Sequence, residues 1–309
     1  MKRIVLVGAG HAHIVVLRHF ALHKPNATLT LINNGAYAYY TGALPAAVRG
    51  DIAPEQARID VQNLATACGA RFINARYAGF ENNVVNLENA ASVPFDTLAI
   101  SIGGTSVPGG IKPIAQFFDR LWRWERLPAA RLGIIGCGAS GVELALALRI
   151  RLNRNAKIYL QTGDGPVLPH APRRVREVAL KTLEQARITL SRAVPYPLDD
   201  VIHAYPPVPT IAVRDTLQLL DRDDVFATGD CAAFPTPLPH SGAIAVRQGR
   251  VLLNNLLAAK MEKFRPPSAT LAIMSLSSRK AVAWYGTDCV SGRLPMLLKN
   301  WLDRRWLRN

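Results

Sequence analysis

The spacing of apolar positions along the chain changes several times, and each change predicts an element. Residues 3–7 form an apolar run ending at a glycine, which reads as a strand buried on both faces. From about 11 to 23 the apolar residues recur at helical spacing, and ATLTLIN (27–33) returns to a strand. Strand, helix and strand in such quick succession make a βαβ unit. The pattern then restarts. RLGIIGCGASGVELALALRIRL (131–152) repeats the strand, glycine turn and helix, and AKIYLQTG (156–163) repeats the second strand. Two such units in one chain predict an α/β fold with two Rossmann-like dinucleotide-binding domains.

The remaining segments are shorter. Residues 71–77, 83–88 and 93–95 are expected as strands of a small sheet, and TLAISIGG (97–104) as a buried strand ending in glycines. Residues 172–186 form an amphipathic helical pattern, and a proline-rich stretch over 195–209 interrupts regular structure. DDVFATGDCAAF (223–234) reads as an apolar strand ending in Gly-Asp, followed by a helix from about 242 to 259. The last segment, LPMLLKNWLDRRWLRN, is short, basic and bears tryptophans.

Both glycine turns are candidate phosphate cradles. Gly136, Gly138 and Gly141 fill all three places of GxGxxG between a predicted strand and helix. The first glycine permits a tight turn, the second lets backbone approach a pyrophosphate, and the third lets helix and strand touch. The anion would rest on the free amides of the helix beginning near Ala139. Near the amino terminus Gly8 and Gly10 keep the two phosphate-facing places, but His13 takes the third. That change costs close packing without removing the amides. His11 and His13 are expected to be structural, since nothing acidic lies nearby in sequence to orient them as proton carriers. The second strand of the first unit ends in Asn33 and Asn34, whose amides can still bond ribose hydroxyls. In the second unit Gln161 and Thr162 replace the acid that grips a ribose 2′-hydroxyl, while Arg173 and Arg174 stand ready for a 2′-phosphate. NADH and NADPH both remain open. Gly229-Asp230, at the end of an apolar strand, can set a carboxylate against a polyol.

Composition narrows the classes. Of 309 residues, 49% are apolar and 19% charged, which predicts a globular chain with a substantial core. The net charge of +15 invites polyanions, and ten Lys or Arg against three Asp or Glu lie between Arg149 and Arg192. No RNP aromatics, zinc spacing or helix-turn-helix pattern accompanies that charge, so a nucleic-acid partner is not expected. The four cysteines are scattered, which argues against a disulfide framework and predicts no metal cluster. No apolar run is long enough to span a bilayer, and the first strand begins at residue 2 or 3, so a cytoplasmic location is expected.

Taken in order, the amino-terminal GxGxx, FDTLAISIGG, GxGxxGVELA and the T-G-D block resemble the two-dinucleotide-binding-domain flavoproteins, the pyridine nucleotide–disulfide oxidoreductase superfamily. YYTGALPAAVRG, GIKPIAQF, GVELALALR, HSGAIAVRQG and LKNWLDRR are similar to its type II NADH dehydrogenase-like branch, above all the FAD-dependent form also found fused to selenide, water dikinase. The resemblance implies FAD in a discontinuous domain of residues 1–108 and 218–262. NADH or NADPH would bind an apparently shortened domain at 109–217, and 263–309 would form an interface or membrane-contact element. By matching positions, Gly8, Gly10 and His11 lie at the FAD pyrophosphate, Asn33 and Asn34 near the adenosine ribose, and backbone of Tyr77 near adenine. Thr41, Gly42, Leu44 and Pro45 approach the isoalloxazine, and Ile102 and Gly103 also belong to the cofactor-binding set. Gly229 and Asp230 hold the ribityl chain, and the helix starting at Gly242 and Ala243 points at the flavin. Lys112 would stand near the flavin or a second substrate, and Glu143 between nicotinamide and flavin.

The implied activity is hydride transfer from NAD(P)H to FAD and onward to a quinone or other external acceptor. YYTGALP, at the place of the redox cysteine pair in disulfide reductases, holds no cysteine. Of the paired glutamines that mark quinone sites in the branch, Gln248 remains while Ala243 fills the other place. The apolar residues Leu294, Leu297, Leu298, Trp301 and Leu302 leave three uses open for the last segment: peripheral membrane contact, docking on the body, or a homodimer. The rival reading is an FAD-binding redox sensor with weak turnover, favoured by the short second unit.

Overall fold

The structure is a computed structural model that describes residues 1–104, 107–257 and 260–308. Its first sheet is parallel and five-stranded, in the spatial order Val225–Ala227, Thr97–Ile100, Lys2–Val7, Ala27–Asn33, Arg71–Asn74. Ile4, Leu6 and Leu31 are fully buried because both faces are covered. Helices His11–His23, Val61–Ala67 and Gly242–Leu257 contribute to the apolar cluster on one face, and the small antiparallel sheet Arg76–Glu81, Val84–Glu88, Val93–Pro94 contributes to that on the other.

The expected strand 71–77 is therefore two strands. Arg71–Asn74 joins the large sheet by pairing with Thr30–Asn33, and only after Ala75 does the chain enter the small one. The strand expected over 97–104 stops at Ile100, where the backbone of Ser101 turns to meet the first glycine turn.

A second parallel sheet runs Thr189–Ser191, Lys157–Gln161, Arg131–Ile135, Asp200–His203. Its last strand lies within the proline-rich stretch over 195–209, ahead of Pro206. Asp200 holds it there, accepting from Arg120 at 2.8 Å and from Trp124 Nε1 at 3.1 Å. Both donors stand on helix Ile114–Glu125, which buries Phe117, Phe118, Leu121 and Trp124 at helical spacing. Each such side chain contributes about 2 kcal/mol of burial. Helix Leu44–Arg49 packs on helix Ala139–Arg151 of the second unit, so the two units share one apolar cluster.

The carboxyl-terminal region holds more regular structure than its sequence suggested. An antiparallel sheet of Ala272–Ser275, Ala281–Tyr285 and Asp288–Gly292 leads into helix Arg293–Leu307. The helix expected over 242–259 spans Gly242–Leu257, and residues 258–259 lie outside the described ones.

Candidate functional site

The first glycine turn sits at the carboxyl end of the first sheet. Gly8 has φ +84°, and a Cβ there would stand 2.5 Å from the Ser101 carbonyl oxygen, so both conformation and space require glycine. The Gly8 amide donates to Ile32 O at 2.8 Å and the Gly10 amide to Ser101 O at 3.2 Å. Gly10 caps helix His11–His23 without a side-chain bond, and the first turn carries no acid. That helix terminus is suited to an anion.

Asn33 has a structural duty in the turn. Its Oδ1 accepts from the Ala9 amide at 3.1 Å and its Nδ2 donates to Gly35 O at 2.7 Å, fastening the turn to the second strand. Asn34 beside it is exposed. The Asn33 carbonyl accepts from the Ala75 amide, which brings the strand bearing Tyr77 to the same edge.

The two histidines take different places. His13 is fully buried with Nδ1 2.6 Å from Gly8 O. His11 packs between Tyr40 and Trp306, its ring centroid 5.6 Å from one and 5.5 Å from the other. Burial pushes the pKa of each down to about 4. A Cβ on Gly242 would lie 3.2 Å from His11 Nε2, so this ring also abuts the start of helix Gly242–Leu257. Gly242 and Ala243 are themselves exposed.

The Gly-Asp turn closes the same end of the sheet. The Gly229 amide donates to Gln248 Oε1 at 2.7 Å. Gln248 is buried and braces this turn, a structural duty that the half-present glutamine pair did not suggest. Asp230 gathers two bases: Lys112 Nζ lies 3.5 Å from Oδ2 and His240 Nδ1 3.2 Å from Oδ1. Gly103 is next to Lys112, and Ile102 is half exposed beside it. A cavity of about 250 Å³ opens here between Asp230, Phe234, His240 and Ile244. The nearby Thr228 hydroxyl is buried without a partner among the described residues.

Thr41 and Gly42 belong to a short 3₁₀ turn, Thr41–Ala43, while Leu44 and Pro45 open helix Leu44–Arg49. Thr41 is exposed, whereas Leu44 is buried in the core shared with the second unit. The Gly42 carbonyl accepts from Lys299 Nζ at 2.6 Å; Lys299 pairs with Asp303 at 2.8 Å, and Asp303 accepts from the Tyr40 hydroxyl at 3.0 Å. Burial and the Asp303 carboxylate push the Tyr40 phenol well above its usual range. Sequence reasoning missed this chain of contacts, although the i, i+4 spacing of Lys299 and Asp303 was a visible signal.

The second turn meets its glycine requirements more strictly. A Cβ on Gly141 would come within 1.8 Å of the Gly136 carbonyl oxygen, while Gly138 opens onto free space. Helix Ala139–Arg151 has no side-chain cap and no acid in its first turn, so its amides also suit an anion. Arg173 borders a cavity beyond Thr162, and Arg174 does not.

Glu143, one turn further along that helix, is held from the carboxyl-terminal sheet. Its Oε1 accepts from the Ser275 amide and from Ser275 Oγ, both at 2.6 Å. Arg49 Nη1 donates to the same hydroxyl at 3.0 Å. Burial pushes the Glu143 pKa up, and Lys299, Ser275 and Arg49 pull it back.

No group of three His, Cys, Asp or Glu among the described residues is placed to hold a metal ion. No helix among them is long and apolar enough to cross a membrane.

Comparison with known proteins bears on this arrangement. The family described as pyridine nucleotide-disulphide oxidoreductase matches residues 2–194. The NADH dehydrogenase-like protein YutJ of Bacillus subtilis is 24% identical over 363 positions, covering 98% of each chain. That alignment exceeds the 309 residues of this chain, so the relative carries segments that are lacking here. The type II NADH:quinone oxidoreductase of Staphylococcus saprophyticus is 23% identical, covering 98% of this chain and 94% of its own. Among solved structures, NDH2 from Plasmodium falciparum superposes with TM-score 0.83 at 12% identity, over 100% of this chain and 95% of that one. This last likeness speaks for the fold.

Proposed function

The chain belongs to the pyridine nucleotide-disulphide oxidoreductase family, and on that premise we propose that it is an FAD-dependent NAD(P)H dehydrogenase. In this reading FAD occupies residues 1–108 and 218–262, NAD(P)H occupies 109–217, and 263–309 forms the interface element. The observation that carries it is the pair of uncapped helix termini, each behind a glycine turn at the carboxyl end of its own parallel sheet. Ligands bind at that end of open α/β sheets.

The residues present fit a flavin. Gly8 admits no side chain, the amides after Gly10 accept a pyrophosphate, and the Asp230 carboxylate stands at the end of Val225–Ala227 for a ribityl hydroxyl. The orphaned Thr228 hydroxyl offers one more polar group. Bound FAD would supply the hydride acceptor. The chain's own part is to bind and orient. Asn33 and Asn34 lie at the adenosine side and Tyr77 near the adenine. Thr41, Gly42, Leu44, Pro45, Ile102 and Gly103 border the ring system. Lys112 stands beside Asp230 with an exposed ammonium, and Glu143 sets the nicotinamide against the ring.

Electrons would leave to a quinone or another small external acceptor, because Tyr39–Pro45 contains no cysteine to relay them as a disulfide. The names of the relatives from B. subtilis and S. saprophyticus support that direction. A kinship with the form fused to selenide, water dikinase belongs to this reading through HSGAIAVRQG and the Gly10-His11-Ala12-His13 sequence at the first turn. A cytoplasmic site is part of it too. The exposed Leu294, Leu297 and Trp301 favour contact with a membrane surface or a second copy, which vesicle flotation and sedimentation separate. The short second unit favours the sensor alternative, which predicts FAD binding with slow turnover.

Anaerobic titration tests the proposal. A yellow preparation that bleaches rapidly with NADH or NADPH, and recovers with a quinone, is the expected outcome. Slow bleaching points to the sensor, and a colourless protein that refuses FAD overturns both.

A further inference from the structure

Beyond strand Lys157–Gln161 lies a cavity of about 500 Å³, bordered by Thr162, Arg173, Arg176, Leu180, Leu190 and Arg192. In a βαβ unit the second strand ends at the adenosine ribose of a dinucleotide whose pyrophosphate rests on the first helix. Three features of the cavity bear on what that ribose carries.

The strand ends in Gln161 and Thr162, so its tip carries no carboxylate to grip two hydroxyls, and the one acid that borders the cavity, Glu177, is paired with Arg173. Three arginines border the cavity, two from helix Arg173–Gln185 and one from beyond strand Thr189–Ser191. Arg173 is paired with Glu177 at 2.8 Å and Arg192 with Asp164, but both pairs lie largely in water. Exposed pairs of this kind contribute little and are readily exchanged. Arg176 has no ion pair among the described residues. Finally, Leu180 and Leu190 are 41% and 38% exposed at the same mouth, an apolar surface suited to a flat heteroaromatic ring.

We propose that this cavity takes the 2′-phosphoadenosine end of NADPH, and that Arg176 and Arg192 select NADPH over NADH. The inference rests on the dehydrogenase reading of the second glycine turn. Arg192 exchanges its Asp164 partner for the 2′-phosphate, Arg176 adds a second charge-assisted bond, and the leucines flank the adenine.

Calorimetric titration of the purified flavin-loaded protein with 5′-AMP, 2′,5′-ADP and 3′,5′-ADP tests it without requiring hydride transfer. The 2′,5′-isomer is expected to bind at least about tenfold more tightly than the other two. Replacing both arginines (Arg176→Ala with Arg192→Ala) should remove that advantage while leaving 5′-AMP binding within about twofold and the melting temperature unchanged. Equal binding of the three nucleotides, equal tightening by 3′,5′-ADP, or an advantage that survives the double substitution would each overturn the assignment. If 2′,5′-ADP is preferred but neither NADH nor NADPH bleaches the flavin, the cavity assignment stands and the dehydrogenase reading falls. Bleaching by NADH and NADPH with equal kcat/KM has the opposite meaning.

Discussion

The imidazole Nδ1 of His13 donates to the Gly8 carbonyl oxygen at 2.6 Å, across the turn that a third glycine ordinarily closes. A carbonyl only accepts, so the proton belongs on Nδ1. The opposite nitrogen, Nε2, is buried without a partner among the described residues. Protonating it would bury an N–H with no acceptor, which agrees with the depressed pKa of about 4. The second turn solves the same problem differently: Gly141 brings its helix almost onto Gly136 O, where no side chain fits.

His13 should therefore impose a pH dependence on stability. Its folded pKa lies below the ordinary value of 6.5, so the unfolded chain binds the proton more readily. Stability is complete above about pH 6.5 and falls as pH drops toward 4, by about 3 kcal/mol at full titration. Melting curves from pH 7.5 to 4.5 read this directly, and His13→Gln should flatten the decline. An unchanged slope in that variant would remove His13 as its source.

Gly141→Ala forces a Cβ against backbone, which cannot move aside as a side chain can. The expected cost is about 1–3 kcal/mol of stability. Flavin absorbance should be retained, whereas bleaching by NAD(P)H should slow at least about tenfold. Full-speed reduction in a folded variant would place the second nucleotide elsewhere.

Ser275→Ala leaves Glu143 with the backbone amide alone. Since the hydroxyl holds the Glu143 pKa down against burial, its loss should raise that pKa further. The acid limb of the pH–rate profile for flavin reduction is expected to move to higher pH. Ser275→Thr, which keeps a hydroxyl, should restore it. A profile that stays in place would show that Glu143 does not titrate in that step.

Lys299→Met removes the ammonium shared by the Gly42 carbonyl and Asp303. The buried acceptors left behind cost about 2–4 kcal/mol. Helix Arg293–Leu307 should become the first site of limited proteolysis, and the absorbance of bound flavin should shift as the Thr41–Ala43 turn relaxes. Equal protease resistance in wild type and variant would show that Lys299 is not what fastens the helix.

Much of this molecule was readable in the chain. Residues 11–23 and 27–33 form the expected helix and strand because periodicity and glycine placement agree there. The split at Ala75 was not readable, since strand 71–74 finds its place through pairing with Thr30–Asn33, a choice that leaves no periodic trace. Ile114–Glu125 was legible from its spacing but went unnoticed behind Pro113. Residues 281–292 carried a hairpin signal in the Gly286 turn between two alternating runs. At the site, the glycines and Asp230 stood out as types. Ser101, Ser275 and Tyr40 did not, because their contacts are distant along the chain, 132 residues for Ser275 with Glu143 and 263 for Tyr40 with Asp303.

The strand Val225–Ala227 enters the first sheet beside Thr97–Ile100 only after the whole second unit has been threaded between them. A ribosome must therefore emit that intervening unit before the edge of the first sheet can be sealed and the Asp230 carboxylate delivered. The second unit has all four of its strands in hand by His203, whereas Leu98 and Ile100 of the first still lack their neighbouring strand. On the proposed reading, cofactor loading would be a late event in biosynthesis, and a nascent chain stalled before residue 225 would leave a bare sheet edge where that strand belongs.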